Sequence, residues 1–524
     1  MKTMQNGTFV AAGLLLALCG AAQAQTVLNR AVGPDVIVGD INGISVYNSG
    51  IGQTAFAVGT TSCNVGNGLL NWFAGTDTRH PVIAQNIYRF RTVGGVGKFE
   101  QVGQGFVKHG FTALAGNVCA TCPPGSTSGD HLAVSCSDPY SSSLNGGQSG
   151  IGPRSEINVV TGAMTTYSSG NPTWPAAAAV GEDSAIHRRI KSLDADLQPN
   201  FQRPTNGTTT YQAAVPGLRY YSEGQYVTQD EVRGPINQTI GSTNYTWLPR
   251  ENNASWREFR LALTTDGITY STPTTGDVSG GAFVSTTRRE QSAVYAWAEA
   301  ESGVTIVPVD VPGDGRFYVA YKVTQANGVY NYEYVIQNAT SHRSAQSFSI
   351  PASICTNIAS IGFKDVNSHS GEGYKDVDNT AYSSTDWTGT RAASDVVWST
   401  STYAASPKAN ALRWGTMYNF RFTSTRPPTA GTGTIGLFRP ATAGSPATSV
   451  AVAIAVPTPR YDSLDYNGDG NIDPSDVDAY FSILGEGPCI GGPACADLDF
   501  NNDGNIDPAD VDSYFILLGE GCEP

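Results

Sequence analysis

Two twelve-residue loops near the C-terminus, Asp465–Asp476 (DYNGDGNIDPSD) and Asp499–Asp510 (DFNNDGNIDPAD), hold the residues best suited to chemistry, and they start 34 residues apart. Each puts oxygen-bearing side chains at positions 1, 3, 5, 9 and 12, with glycine at position 6. In the first copy these are Asp465, Asn467, Asp469, Asp473 and Asp476; in the second they are Asp499, Asn501, Asp503, Asp507 and Asp510. The chemistry this spacing suits is capture of a hard cation. Ca²⁺ takes six to eight oxygens, and the chain must turn sharply at the sixth residue to wrap it.

The elements that must position these loops follow them directly. Val477–Gly485 (VDAYFSILG) and Val511–Gly519 (VDSYFILLG) read as helices. Val477, Tyr480, Phe481 and Leu484 fall on one helical face, as do Val511, Tyr514, Phe515 and Leu518. Pro474 and Pro508 precede the helices, while Gly485 and Gly519 end them. Each repeat is one loop and one helix, too small for a core alone, so the two are expected to bury their apolar faces against each other.

This duplicated arrangement resembles the type I dockerin family, small modules that attach secreted proteins to cohesin receptors. The resemblance covers about Asp462–Pro524, roughly an eighth of the chain. It implies one Ca²⁺ held by Asp465, Asn467, Asp469, the Asn471 carbonyl and Asp476. A second would be held by Asp499, Asn501, Asp503, the Asn505 carbonyl and Asp510, with Asp473 and Asp507 acting through water. Aspartate at position 12 fits this family better than an ordinary EF-hand, where a longer glutamate is usual. The implied partner is a cohesin-like protein. Positions 10 and 11 face the partner in the family; here they are Pro474-Ser475 and Pro508-Ala509 rather than the common small hydroxyl pair. The GEGPC and GEGC endings, with Cys489 and Cys522, depart from the pattern as well. Calcium binding carries over from the family; the receptor's identity does not. Folding is expected to depend on the ions, because so many carboxylates around a small core repel one another without them.

Charge follows the same division. Tyr461–Pro524 carries 15 acidic and no basic residues, so its charge is −15, whereas Met1–Arg460 totals +1. Charged residues are 15% of the chain, against about 25% in ordinary soluble domains. No basic patch suggests nucleic-acid binding. Lys2, the apolar run Phe9–Leu18 and Ala22-Gln23-Ala24 form an export signal over residues 1–24, cleaved before Gln25. A lipoprotein reading at Cys19 is disfavoured by bulky Leu18. No later stretch approaches the ~20 apolar residues of a membrane span. The expectation is a secreted protein, extracellular or associated with a cell surface.

Eight cysteines remain after export: Cys63, Cys119, Cys122, Cys136, Cys355, Cys489, Cys495 and Cys522. An even number in an oxidising compartment suggests disulfides. Cys489 and Cys495 are a natural pair, which would leave Cys522 to reach Cys355 or another cysteine of the body. Cys119 and Cys122 with His131 and Cys136 have passable zinc spacing, but export favours disulfides there too.

The body, residues 25–456, reads as mainly β: an antiparallel β-sandwich protein followed by the small helical module at 464–524. Arg316–Asn338 is the clearest hairpin, with alternating apolar positions on both sides of Asn327-Gly328. Val36–Val46, Tyr418–Phe422, Thr434–Phe438 and Val450–Val456 are further strands, and Ser184–Leu197 is the one helix candidate. A subdivision is expected near 302–313, and Pro457-Thr458-Pro459 opens a stiff linker over 457–463.

Catalytic constellations are absent from the body's sequence: there is no HExxH, GxSxG or P-loop, and six histidines are scattered. Glu299 and Glu301 follow Trp297 in an expected strand, VYAWAEAE. Two carboxylates beside an aromatic ring suit glycoside hydrolysis, but an exposed polar strand end is the favoured reading. The sequence therefore points to a strand-rich export attached through a calcium-dependent module. The alternative is a carbohydrate-active cargo, an enzyme or binding module acting on polysaccharide. A third reading is a purely structural surface component.

Overall fold

The computed structural model describes residues 33–520 apart from 50–51, 76, 165–176, 203–211, 214, 232–235, 241–242, 248, 265–268, 276–278, 327, 353–355, 375, 393, 459–463, 465–472, 486–497, 499 and 501–504. Residues 1–24, Cys355, Cys489, Cys495, Cys522 and most of the 457–463 linker therefore lie outside the described residues.

Long β-branched and aromatic runs build the first sheet. β1 (Val36–Asn48) pairs with β2 (Gln53–Asn64), and β3 (Val82–Val93) with β4 (Val96–His109). β5 (Ile190–Leu193) slots between β2 and β4, and β6 (Arg219–Val227) and β7 (Ala254–Phe259) extend beyond β3. The order is β1-β2-β5-β4-β3-β6-β7, with antiparallel neighbours. Most of β2, β3 and β4 is buried on both faces, so these strands lack a simple inside-outside alternation. The sheet curls until its first strand crosses its last: Ser255 Oγ donates to the Val38 carbonyl at 2.7 Å. Val38, Phe56, Trp72, Ile83, Tyr226 and Phe259 fill the enclosed core.

Ser184–Leu197 is not a helix. Arg188 has φ +66°, which no α-helix accommodates, and Ile190–Leu193 is claimed by ladder bonds to β2. Tertiary pairing overrides a weak local preference here. The reverse holds at Tyr295–Ala300, expected as strand but folded as a short helix, α1. Its Ala and Glu residues favour helix, and a few residues of alternation cannot distinguish the two periods.

A second unit begins with β8 (Thr305–Asp310). β9 (Arg316–Ala326) and β10 (Val329–Asn338) form the expected hairpin, closed at Ala326–Val329 with Gly328 at φ +80°. β11 (Ala345–Pro351), β12 (Ile358–Lys364), β13 (Thr388–Arg391), β14 (Asp395–Ser399), β15 (Met417–Ser424), β16 (Pro428–Leu437) and β17 (Ser449–Pro457) follow. They complete two five-stranded antiparallel sheets, ordered β8-β9-β10-β15-β12 and β13-β14-β11-β16-β17. The expected strands Tyr418–Phe422, Thr434–Phe438 and Val450–Val456 fall within or overlap β15, β16 and β17. Tyr334, Phe348, Trp398, Phe420, Phe422 and Ile454 meet between the sheets, which makes the unit a β-sandwich.

The two units share a buried seam. Tyr88, Phe99, Tyr221 and Trp297 of the first pack with Tyr318, Val335 and Met417 of the second. At its centre the Glu223 carboxylate accepts from Tyr88 Oη (2.7 Å), Asn86 Nδ2 (2.9 Å), the Ala293 N–H (2.6 Å) and Gln337 Nε2 (3.0 Å).

The Cys63–Cys119 disulfide ties the loop-rich stretch after β4 to β2, and Cys122–Cys136 closes a loop within that stretch, in place of a zinc site. Gly39 makes room for the first: a Cβ there would lie 2.3 Å from Cys63 Sγ and 2.4 Å from Cys119 Sγ.

After β17, Thr458 is pinned to the body, its N–H and hydroxyl both donating to the Pro427 carbonyl at 2.7 Å. The final elements are α2 (Pro474–Gly485) and α3 (Pro508–Glu520). No helix among the described residues is long and apolar enough to cross a membrane.

Candidate functional site

The two acidic repeats make matching helix starts. In the first, Asp473 Oδ1 accepts from the Ser475 N–H at 2.8 Å and from its hydroxyl at 2.6 Å. The Asp473 N–H in turn donates to Asp476 Oδ2 at 2.8 Å. In the second, Asp507 Oδ1 accepts from the Ala509 N–H, and the Asp507 N–H donates to Asp510 Oδ2, both at 2.8 Å. Position 9 is thus the N-cap and position 12 the residue that bonds back, a reciprocal cap with aspartate where glutamate is usual. Proline fits the first helical turn because no N–H is needed there. The side-chain and backbone hydrogen bonds from Ser475 hold the Asp473 carboxyl below its ordinary range.

Asp476 and Asp510 are 0% exposed and point into the fold, whereas Pro474, Ser475, Pro508 and Ala509 are exposed at the first turns. Among the metal candidates, Asp473, Asp476, Asn505, Asp507 and Asp510 are described; Asp465, Asn467, Asp469, Asn471, Asp499, Asn501 and Asp503 lie outside the described residues. No group of three or more His, Cys, Asp or Glu side chains among the described residues is arranged for a metal ion.

Behind the caps, Leu464, Tyr480, Leu498, Phe500 and Tyr514 form a small core, with Val477, Leu484, Val511 and Leu518 packed on it. The expected apolar stripe is narrower than the sequence suggests. Phe481 and Phe515 are each 43% exposed, with ring centroids 5.9 Å apart, and Ile516 is 56% exposed beside them. A seam at i, i+3 and i+7 excludes the i+4 residue from the interior. Sequence reasoning missed this apolar surface; its signal was the identical Tyr-Phe order in both repeats.

In the body, Glu299 and Glu301 do not share a face. Glu299 lies on α1, whereas Glu301 is the extended residue just past its end. Glu299 pairs with Arg288 at 2.7 Å, while Glu301 pairs with Lys322 at 2.7 Å and accepts from Trp297 Nε1 at 2.9 Å. No acid-base pair for glycoside cleavage is built there.

Four of the six histidines are less scattered than the sequence implies. His80 Nε2 meets His109 Nδ1 at 2.9 Å, and His109 Nε2 meets Glu156 Oε1 at 2.5 Å. Burial drives His80 down to about 4 and His109 to about 3, so both stay neutral. His187 and His369 share Glu182, with Nδ1 to carboxylate distances of 3.0 and 2.9 Å, and Lys191 joins at 3.1 Å. Burial pushes the Glu182 carboxyl up, but its hydrogen bonds from His187 and His369 outweigh that and hold it well below the ordinary range. These contacts satisfy buried groups and present no nucleophile.

No protein-family model matches the chain, and no curated protein matches it. Among solved structures, the N-terminal domain of the Streptococcus gordonii adhesin Sgo0707 aligns at 8% identity with a TM-score of 0.16, covering 82% of this chain and 97% of that one. A TM-score that low carries no argument about fold or function.

Proposed function

We propose that the protein is an exported, strand-rich protein attached to an extracellular or cell-surface assembly through a dockerin-like C-terminal module that two Ca²⁺ ions organise. The partner is a cohesin-like receptor. The observation that carries this reading is the repeated geometry at loop positions 9 and 12: each repeat buries its last aspartate and ties it back to its own N-cap at 2.8 Å. A buried carboxylate needs hydrogen bonds, a cation or both. Asp473 and Asp507 supply hydrogen bonds, and a segment with fifteen acidic and no basic residues leaves the charge to a metal ion.

Asp465, Asn467, Asp469, the Asn471 carbonyl and Asp476 would hold one ion; Asp499, Asn501, Asp503, the Asn505 carbonyl and Asp510 the other. When bound, each ion neutralises its loop and fixes the direction in which the following helix leaves. The chain's own residues do the rest. The caps start α2 and α3, the Tyr480 and Tyr514 core sets their spacing, and Phe481, Phe515 and Ile516 are left as an apolar face beside Pro474-Ser475 and Pro508-Ala509. Exposed aromatics ringed by polar residues are the usual anchors of a protein interface. Pull-down from the native extracellular fraction with the mature protein, with Ca²⁺ and with chelator, tests this. Calcium-dependent capture of a receptor, lost in Phe481→Ser/Phe515→Ser, supports it; capture unaffected by chelator and by the double variant contradicts it.

A further inference from the structure

A cleft lies where the two units meet, the kind of junction at which small-molecule sites form. Its wall includes Gln104 from β4, Arg154, His342 just after β10, Ser368, and Arg413 just before β15.

Three of these polar side chains are idle. Gln104 is 3% exposed, yet among the described residues its amide makes no hydrogen bond, and its Oε1 is buried without a partner there. The His342 imidazole and the Ser368 hydroxyl also make none among the described residues. A buried amide left unbonded is rare in native proteins and calls for a ligand or water to complete it. Burial, with Arg439 nearby, keeps His342 down at about 4, so its ring is neutral and can both donate and accept.

The wall's charge is unbalanced as well. Arg439 pairs with Asp376 at 2.9 Å, and Glu372 sits against Arg154, accepting the Arg154 and Ser155 N–H groups at 3.3 and 3.0 Å. Among the described residues, Arg413 has no carboxylate at ion-pair distance. Its Nη1 and Nη2 donate to the Ala409 and Pro407 carbonyls at 2.7 and 2.9 Å, and its guanidinium lies 3.5 Å from the Tyr382 ring centroid. Among the described residues, then, Arg413 has no counter-charge and lies beside three unused hydrogen-bonding groups.

We propose that this cleft binds a small hydroxylated carboxylate, a sugar acid, with its carboxylate toward Arg413 and its hydroxyls toward Gln104, His342 and Ser368. The site is separate from the calcium-dependent tail and stands or falls without it.

Calorimetry on the mature full-length protein with galacturonate, galactose and acetate tests it, each with and without Ca²⁺. Galacturonate should bind at least about tenfold more tightly than either control. Gln104→Leu and His342→Leu should each weaken galacturonate binding about tenfold or more with the melting temperature unchanged, because neither side chain bonds within the fold. Arg413→Gln should remove the preference over galactose. Equal binding of galactose, binding of acetate as tight as galacturonate, no heat with galacturonate at millimolar concentration, or parent-like binding by both leucine variants would each overturn the proposal.

Discussion

Tyr480 and Tyr514 stack face to face, with ring centroids 4.1 Å apart and planes 13° from parallel. They are the same position of two repeats 34 residues apart, so the contact joins each helix to its copy and builds one core from two halves. Tyr514→Ala should cost the tail about 3–5 kcal/mol, the usual loss for a buried aromatic, which is enough to unfold so small a module. Tail amides losing hydrogen-exchange protection while the body keeps its own is the expected readout. Phe515→Ser should leave that protection unchanged.

Gly39→Ala should damage the fold through the Cys63–Cys119 bridge. The added methyl meets both sulfurs below any normal contact distance, so strand or disulfide must move. That bridge closes a loop spanning 56 residues, and its loss costs about 4 kcal/mol in the chain-entropy account. Thermal unfolding of the variant should resemble that of the reduced parent protein more than that of the oxidised one.

Glu223 ties the two units together through four donors, one of them Gln337 on the far side of the seam. Glu223→Ala strands those donors in a dry interior and should cost about 3 kcal/mol or more. Glu223→Gln keeps an acceptor and should cost less. Urea denaturation ranks the two.

The pH dependence of stability should have two limbs. His80, His109 and His342 are held neutral, at about 4, 3 and 4, whereas the unfolded chain protonates them below about 6.5. Their contribution is complete above 6.5 and is lost as pH falls toward 4 and 3. Burial raises Glu231 to about 8 and Asp138 to about 7, so the fold retains protons that the unfolded chain has released. Their contribution is present below about 4 and is lost as pH rises through 7 and 8. The two sets oppose each other between 4 and 6.5. Above 6.5 only the carboxyls of this group still titrate, and stability should decline by about 1–2 kcal/mol up to pH 8. Urea titrations at several pH values measure it, and Glu231→Gln should flatten the upper limb.

Much of the second unit was legible. Val450–Val456 and the residues flanking Asn327-Gly328 alternate because one face of each strand meets the sandwich core while the other does not. In the first unit β4, with Glu100, Gln101, Gln104 and Lys108 buried among apolar residues, follows no period; Gln101, for one, is satisfied by Gly415 and Met417, far away in sequence. Distance hid this histidine pair in the same way: His369 reaches Glu182, beside His187, from 187 residues further along the chain. The cleft at Arg413 was equally invisible, because its wall comes from both units. In the tail, spacing alone marked positions 9 and 12. The exposure of Phe481 and Phe515 required knowing which helical residues the partner helix leaves uncovered.

Calcium titration of the mature full-length protein by calorimetry, beside the Asp465→Ala/Asp499→Ala double variant, tests the central claim most directly. Two ions bound per chain, with the heat lost in the variant and tail protection appearing only with Ca²⁺, is the predicted result. No heat on adding Ca²⁺ to the parent protein, together with a tail equally protected in chelator, would contradict it.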